Sequence, residues 1–188
     1  MQPQHQERRE DFAYILDSMP TGKSFSNKSE PIVQLLGEER FTLLEAVPKP
    51  EVSLSLGEKV YIGKEERDKI SMIKSKIVYD ELTQTAKNEL PLLIDKIIKD
   101  NEQKFVEMFN TAGPINIRQH MLELIPGIGK KHLTEILKQR SIKKFENFDD
   151  LEQRIGLKRV TELIRNRIIM EMRGGERFTL FIRPPKKI

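Results

Sequence analysis

The front part of the chain consists of short apolar runs separated by Gly, Pro and charged residues. Five such runs follow one another, at 12–16, 31–36, 41–47, 54–63 and 69–77. Strands this short, with turn residues between them, are typical of a small barrel. We therefore predict an OB-like β-barrel over residues 11–80, preceded by a disordered N-terminal tail over residues 1–10.

From Leu82 onward, apolar residues recur at helical spacing instead. Residues 89–98 and 104–109 each predict a helix, and Pro91 lies in a first helical turn, where proline is tolerated. Residues 81–112 are therefore expected to form helices that connect the barrel to the rear of the chain.

At the C-terminus, a glycine pair at 174–175 ends the helical pattern. Residues 178–182 predict a last strand, which needs a partner and is expected to find it at an edge of the barrel. Residues 174–188 are thus a strand followed by a basic tail. The predicted fold class is α+β with two domains.

A compact turn motif lies between these ends. Asn116 is placed to cap a helix over residues 117–125, and Pro126 ends that helix. The segment 124–132, with the sequence LIPGIGKKH, then leads into a second helical pattern. The motif therefore predicts two helices joined by a tight turn.

The residue types in this turn suit an anion. Gly127 and Gly129 permit backbone angles that other residues avoid and allow a phosphodiester to approach, while apolar Ile128 is placed to plug the gap between the helices. A helix that begins here directs backbone N–H groups and a positive dipole outward. Lys130 and Lys131 add charge, so a nucleic-acid phosphate is the anion indicated.

The apolar-Pro-Gly-apolar-Gly core of this turn resembles the helix-hairpin-helix motif of DNA-repair and RNA-processing proteins. That resemblance implies contact with sugar-phosphate rather than base edges, and hence little sequence reading. It also implies a monovalent cation, K⁺ or Na⁺, on hairpin carbonyls near Leu124 and Gly127. The alternative is a purely structural corner with solvated lysines.

A degenerate second copy follows. Residues 134–137 and 161–164 align at one offset, which also places 155–156 on 128–129, although the Pro-Gly pair is absent. Asp149 or Asp150 is a plausible N-cap for its first helix. Such a pair resembles the two-hairpin domain of excision-repair nucleases, so residues 113–173 are interpreted as a tandem helix-hairpin-helix domain. This copy keeps Lys158 and Arg159 at the corresponding helix start as weaker phosphate candidates, and its simplest role is to bury the first hairpin's apolar face.

Charge concentrates in the same half of the molecule. Residues 113–188 hold 17 Lys and Arg against 9 Asp and Glu, a balance of +8, whereas residues 1–112 hold 16 against 20, a balance of −4. A basic domain that carries such a motif has the electrostatic footprint of nucleic-acid binding.

Composition excludes several classes of protein. The chain has no cysteine, which removes disulfides and thiolate chemistry. Neither a membrane-spanning apolar stretch nor the apolar core of a signal peptide is present, so a cytoplasmic protein with no membrane partner is expected.

Other candidate sites are weaker. Residues 17–24 end in Gly-Lys-Ser but have Asp17 where a P-loop needs glycine. The three histidines, His5, His120 and His132, are too scattered for a metal centre, and His132 is expected near the phosphate as an incidental donor.

Acidic and aromatic residues offer two further possibilities. Asp149, Asp150 and Glu152 are compatible with Mg²⁺ in a nuclease, although acids near a helix N-terminus explain them better. Three barrel aromatics could stack on bases, while a place in the core is the favoured interpretation: Tyr14, Phe41 and Tyr61.

The whole order of motifs, through 13–17, 57–63 and 123–131, is similar to a family of uncharacterised archaeal proteins catalogued only as a domain of unknown function. The resemblance implies an OB-like front and a tandem helix-hairpin-helix rear. Members tend to be encoded beside translation and RNA-polymerase components, which implies RNA and ribosomal or transcription proteins as partners. No activity transfers with it.

These observations favour a non-catalytic nucleic-acid-binding protein, with RNA preferred over DNA, acting in ribosome or transcript handling. No catalytic residue, resident metal or small-molecule substrate is predicted. The main alternative is a protein-interaction scaffold or assembly factor whose hairpins pack on a partner. A nuclease is a distant third.

Overall fold

The computed structural model describes residues 10–22 and 30–182. The chain divides into two compact units, one ending at Leu93 and the other beginning at Ile94. The division falls inside helix α1, Gln84–Asp100. The mixed α+β architecture is confirmed. In the part of the chain described, no helix is long and apolar enough to cross a membrane.

The front unit contains a curled antiparallel sheet of five strands. They are β1 (Phe12–Met19), β2 (Ile32–Gly37), β3 (Leu43–Pro48), β4 (Lys59–Tyr61) and β5 (Ile70–Lys76). The order β4-β1-β2-β3-β5 leaves β4 and β5 at the two edges. Each predicted apolar run overlaps one strand, although β1 extends three residues beyond its run and β4 occupies only 59–61 of the run 54–63.

Alternation along the strands builds the core of this sheet. Because successive side chains in a strand point to opposite faces, residues two apart share a face. The buried cluster is made of such pairs with one residue of β5: Ala13, Ile15, Val33, Leu35, Leu44, Ala46, Val60, Ile62 and Ile70.

The predicted disordered tail over residues 1–10 is wrong at Glu10. Glu10 is buried, and its carboxylate accepts hydrogen bonds from the backbone N–H groups of Glu39, Arg40 and Thr42 at 2.8, 3.0 and 3.3 Å. Those donors belong to the turn between β2 and β3, which needs an acceptor. Residues 1–9 lie outside the described part of the chain.

The rear unit is mainly helical. Its elements after α1 are α2 (Glu102–Thr111), β6 (Pro114–Asn116), β7 (Gln119–His120), a one-turn 3-10 helix (Met121–Leu124), α3 (Lys130–Ile142), α4 (Phe148–Ile155) and α5 (Val160–Arg173).

The helix predicted over 117–125 is wrong. Residues 114–120 form a β-hairpin, and only one 3-10 turn precedes Pro126. The Asn116 side chain accepts a hydrogen bond from Arg118 N at 2.9 Å, which turns the chain instead of capping a helix. At the other end of the hairpin, His120 Nδ1 accepts from Leu122 N at 3.2 Å and caps the 3-10 turn.

The predicted C-terminal strand is also wrong, because residues 174–182 contain no strand. The buried Glu171 carboxylate accepts hydrogen bonds from the backbone N–H groups of Leu180, Phe181 and Ile182 at 2.7, 2.9 and 2.9 Å. Arg167 pairs with the same carboxylate at 2.8 Å. Backbone donors that a sheet edge would have satisfied are thus bound to a side chain of α5.

Candidate nucleic-acid interface

The segment that we call the lysine turn, residues 125–131, lies between the 3-10 helix and α3. Ile128 N donates to the Ile125 carbonyl at 3.0 Å and closes the turn. Gly127 has φ of +96°, in the region that favours glycine, and a β-carbon there would lie 3.1 Å from Leu163 Cδ2 of α5. Ile128 is buried, which fits its predicted packing role better than contact with a ligand.

The two glycines of this turn have different roles, which corrects the prediction that both need unusual backbone angles. Gly129 is the N-cap of α3, with φ −89° and ψ −179°, an extended conformation open to any residue. A β-carbon at Gly129 would meet no other atom within 4 Å. Of these two positions, only 127 requires glycine for its backbone conformation. At 129, the absence of a side chain leaves open space beside the first turn of α3.

Positive charge surrounds that open space. Lys130 and Lys131 are exposed at the first two positions of α3. Among the described residues, neither forms an ion pair with a carboxylate. The first N–H groups of an α-helix have no partner within the helix, and Gly129 has no side chain to supply one. An external anion fits this arrangement.

His132 lies in the first turn of α3, beside the lysine turn. Its Nδ1 lies 3.0 Å from the Gly127 carbonyl oxygen, so a proton on Nδ1 is donated to the turn. The same oxygen was expected to help hold K⁺ or Na⁺. That hydrogen bond uses one of the two lone pairs of the carbonyl oxygen, so it does not exclude a cation at the same oxygen.

The second turn, residues 155–160, joins α4 to α5, and we call it the capped turn. Gly156 has φ of +70° and is followed by buried Leu157, as Gly127 is followed by buried Ile128. Gly156 therefore corresponds to Gly127 in the structure, whereas the sequence alignment placed it on Gly129. The two alignments differ by two residues. The apolar residue after the left-handed glycine is the feature that the two turns share.

A carboxylate of the protein already occupies the helix start in the capped turn. Glu152 Oε1 accepts a hydrogen bond from Val160 N, the first residue of α5, at 2.7 Å. Arg159 is the N-cap, has φ of +59° and forms an ion pair with Glu162 at 3.2 Å. Lys158 is exposed on this turn. The two candidate cations are therefore present, but the backbone anion site beside them is filled.

Two of the three acidic candidates, Asp150 and Glu152, have structural partners. The N-cap of α4 is Asn147, whose side chain accepts from Asp150 N at 2.7 Å, and not Asp149 or Asp150. Burial raises the pKa of Asp150, but hydrogen bonds from Glu146 N and Arg154 together lower it by a larger amount. The pKa of Asp150 therefore lies below its ordinary value. Within the described residues, no three His, Asp or Glu side chains converge as metal ligands would.

Two arginines of the rear unit, Arg140 and Arg154, hydrogen-bond to backbone carbonyls of the protein itself. Arg140 donates to the Phe109 and Ala112 carbonyls at the end of α2, at 2.9 and 2.8 Å. Arg154 donates to the Gln139 carbonyl near the end of α3 at 2.8 Å. Cations are favoured at helix C-termini, so a count of charges overstates the positive surface.

The three aromatic stacking candidates do not form a platform. Tyr14 and Phe41 are buried in the front unit, so they cannot stack on a base. Tyr61 is half-buried, and its ring lies edge-on against exposed Phe12 with centroids 5.4 Å apart. The favoured interpretation, a place in the core, is confirmed for Tyr14 and Phe41, because the sheet buries residues on both of its faces, as at Ala13 and Tyr14.

Of the remaining candidates, His5 and Lys23-Ser24 of the Gly-Lys-Ser segment lie outside the described residues. His120 is buried at the base of the β6–β7 hairpin. Burial lowers the pKa of His120, and the charge of Arg140 lowers it further. The role of this histidine is to accept a hydrogen bond from the backbone N–H of Leu122. Nothing in the sequence indicated that role.

Residues 9–183 match the family model described as "Protein of unknown function (DUF655)". The chain belongs to the DUF655 family. An uncharacterised protein of Methanocaldococcus jannaschii, MJ0038, is 44% identical over 181 residues, which cover 95% of this chain and 82% of that protein. The predicted resemblance to a family of uncharacterised archaeal proteins with a domain of unknown function is therefore confirmed.

A solved structure of this family supports the fold. The crystal structure of Af1531 from Archaeoglobus fulgidus matches with a TM-score of 0.86 and 42% identity, covering 93% of this chain and all of that one. Both units of this DUF655 chain are therefore represented in an experimentally determined relative.

Proposed function

We propose that this protein is a non-catalytic nucleic-acid-binding protein that holds a sugar-phosphate backbone at the lysine turn. The observation that carries the proposal is the start of α3. There, Gly129 leaves open space, two exposed lysines lie alongside, and the first backbone N–H groups have no side-chain cap. Phosphate is the anion that such helix starts bind.

The sequence context supports a polymeric ligand. The turn resembles the helix-hairpin-helix motif, and the rear half carries a net charge of +8. We further propose that the front unit is OB-like, that RNA is preferred over DNA, and that the protein acts in ribosome or transcript handling. Binding of this kind recognises the backbone and reads little sequence.

Titration of the full chain with unrelated labelled oligonucleotides, RNA and DNA, at several salt concentrations tests this proposal. Counterion release requires affinity to fall steeply as salt rises, with a slope of about −0.7 per phosphate contact for single strands. The proposal predicts similar affinities across sequences and tighter binding of RNA. Absence of binding at low salt would contradict it.

A protein-interaction scaffold is the alternative function. Ile142, which is 72% exposed at the end of α3, is the observation that favours it. The same titration distinguishes the two functions, because a scaffold has no reason to bind oligonucleotides in a salt-dependent way.

A further inference from the structure

The tip of the β6–β7 hairpin presents an apolar side chain to solvent. Its two turn residues are Ile117 and Arg118, and neither has a positive φ. Asn116 precedes them and favours the turn, because its side chain accepts a hydrogen bond from Arg118 N. A turn of this kind accepts most residues, so it does not itself need an isoleucine at its tip.

Ile117 is more exposed than any other large apolar residue described, at 106% of its reference area. A single exposed apolar side chain is ordinary on a protein surface. This one differs because the hairpin beneath it is fixed. His120 N donates to Glu123 Oε2 at 2.8 Å, Met121 N donates to the Gly113 carbonyl at 3.0 Å, and Arg140 binds the Ala112 carbonyl.

The surface beside the tip is cationic. An open cleft is lined by Asn116, Arg118, Gln119, Glu123 and Arg177. Its one carboxylate, Glu123, already accepts from His120 N. Among the described residues, neither Arg118 nor Arg177 forms an ion pair. Two guanidinium groups beside an apolar tip match a phosphate backbone beside stacked bases, because arginine binds phosphate with two donors at once.

We propose that Ile117 is a wedge that inserts between two stacked bases of a bound nucleic acid, while Arg118 and Arg177 bind the flanking phosphates. This inference rests on the proposed nucleic-acid function and adds a second contact, distinct from the lysine turn. Apolar side chains on rigid supports unstack bases in this way, and the contacts to the bent strand repay the energy of unstacking.

The test uses the full chain with RNA and DNA duplexes that carry 2-aminopurine, whose fluorescence rises when its stacking is broken. We expect the parent protein to raise the fluorescence. Ile117→Ala should lose that rise and bind about tenfold more weakly, because the buried apolar area is lost. Its salt slope should equal the parent's, since no charge is removed.

Two variants serve as controls. Ile142→Ala removes another exposed isoleucine of the same unit and should behave as the parent. Ile117→Leu keeps an apolar wedge and should restore the fluorescence rise. Thermal unfolding of each variant verifies that folding is intact.

The outcomes separate this inference from the function on which it rests. If Ile117→Ala retains the full fluorescence rise and affinity while Lys130→Ala with Lys131→Ala loses binding, the wedge is wrong and the proposed function stands. If the parent binds no nucleic acid at low salt, both are wrong. A rise with only the RNA or only the DNA duplex supports the wedge and identifies its ligand.

Discussion

The lysine turn and the capped turn begin alike and end differently. Each has a left-handed glycine followed by a buried apolar residue. In the lysine turn, α3 then starts behind a glycine without a side chain. In the capped turn, α5 starts with its first N–H bound to Glu152. The same turn geometry thus accompanies an open anion site in one place and a filled one in the other.

The difference shows that an intact turn motif does not require a full α-helix before it. The turn with the intact motif follows only a single 3-10 turn, whereas the degenerate turn joins two full α-helices. What distinguishes a candidate binding turn from a structural one is whether a side chain caps the second helix. Single substitutions can change that feature, or the surroundings of each turn, one at a time.

The largest effect is expected from Gly129→Asp, which would convert the lysine turn into a capped one. Aspartate is a favoured N-cap, so stability should stay within about 1 kcal/mol of the parent's or rise. Its carboxylate takes the phosphate position, so oligonucleotide affinity should fall by about 100-fold, the effect of a like charge. Fluorescence anisotropy and thermal unfolding measure the two quantities.

Gly113→Asp is the matched control for that variant. It makes the same charge change at a glycine whose β-carbon would also meet nothing within 4 Å. Affinity should fall far less there. Equal losses for the two aspartates would show that net charge, and not the lysine turn, governs binding.

The next largest effect separates the two glycines of the lysine turn. Gly127→Ala places a side chain at φ +96° and should destabilise the protein by about 1–3 kcal/mol, with binding reduced as the turn distorts. Gly129→Ala should cost less than about 1 kcal/mol of stability and still weaken binding. Chemical denaturation and anisotropy test the pair. Equal stability losses would contradict the assignment of conformational strain to Gly127 alone.

A smaller effect is expected when the capped turn is opened. Glu152→Ala removes the acceptor of Val160 N and should lower the free energy of unfolding by about 1–2 kcal/mol, as loss of a helix cap does. Affinity for oligonucleotides should stay within about threefold of the parent's or rise slightly, since a competing carboxylate is removed. Gln153→Ala, at the exposed neighbouring position, serves as the control and should leave stability unchanged.

The smallest expected effect is a pH dependence of stability that comes from His120, which caps the 3-10 turn before the lysine turn. The pKa of His120 is lowered by burial and by Arg140, so the unfolded chain takes up this proton first. Its stabilising contribution is complete above about pH 6.5 and is lost as pH falls below that value toward the folded-state pKa. In the capped turn's helix, the lowered pKa of Asp150 keeps its contribution until much lower pH.

Thermal unfolding at a series of pH values checks this expectation. His120→Asn keeps a side-chain acceptor for Leu122 N but cannot titrate. The parent should lose stability relative to this variant as pH falls below about 6.5. Parallel curves would show that protonation of His120 does not weaken the hairpin base.

Much of the fold could be predicted from the sequence where apolar spacing agreed with turn chemistry. The β-runs around Ala13, Val33 and Leu44 form strands, and the pattern beginning at Leu133 forms a helix. Residues 117–125 failed because apolar spacing there fits a helix, yet the side-chain bonds of Asn116 and His120 favour another path for the backbone.

The candidate site was predictable in part, because the Gly and Lys residues of the lysine turn are adjacent in sequence. The filled helix start of the capped turn could not be predicted, because Glu152 accepts from Val160 N, which lies eight residues away in the sequence. The C-terminal strand failed for a similar reason. A buried carboxylate, Glu171, replaced the sheet partner that alternation alone would have suggested.

The central claim is that the lysine turn holds phosphate and the capped turn does not. The most direct measurement compares the salt slope of oligonucleotide binding for two double variants that remove equal charge, Lys130→Ala with Lys131→Ala and Lys158→Ala with Arg159→Ala. We expect the first pair to reduce the magnitude of the slope by about 0.7 for each lost phosphate contact with a single-stranded oligonucleotide, and the second to leave it nearly unchanged. Equal reductions, or a reduction confined to the second pair, would contradict the account.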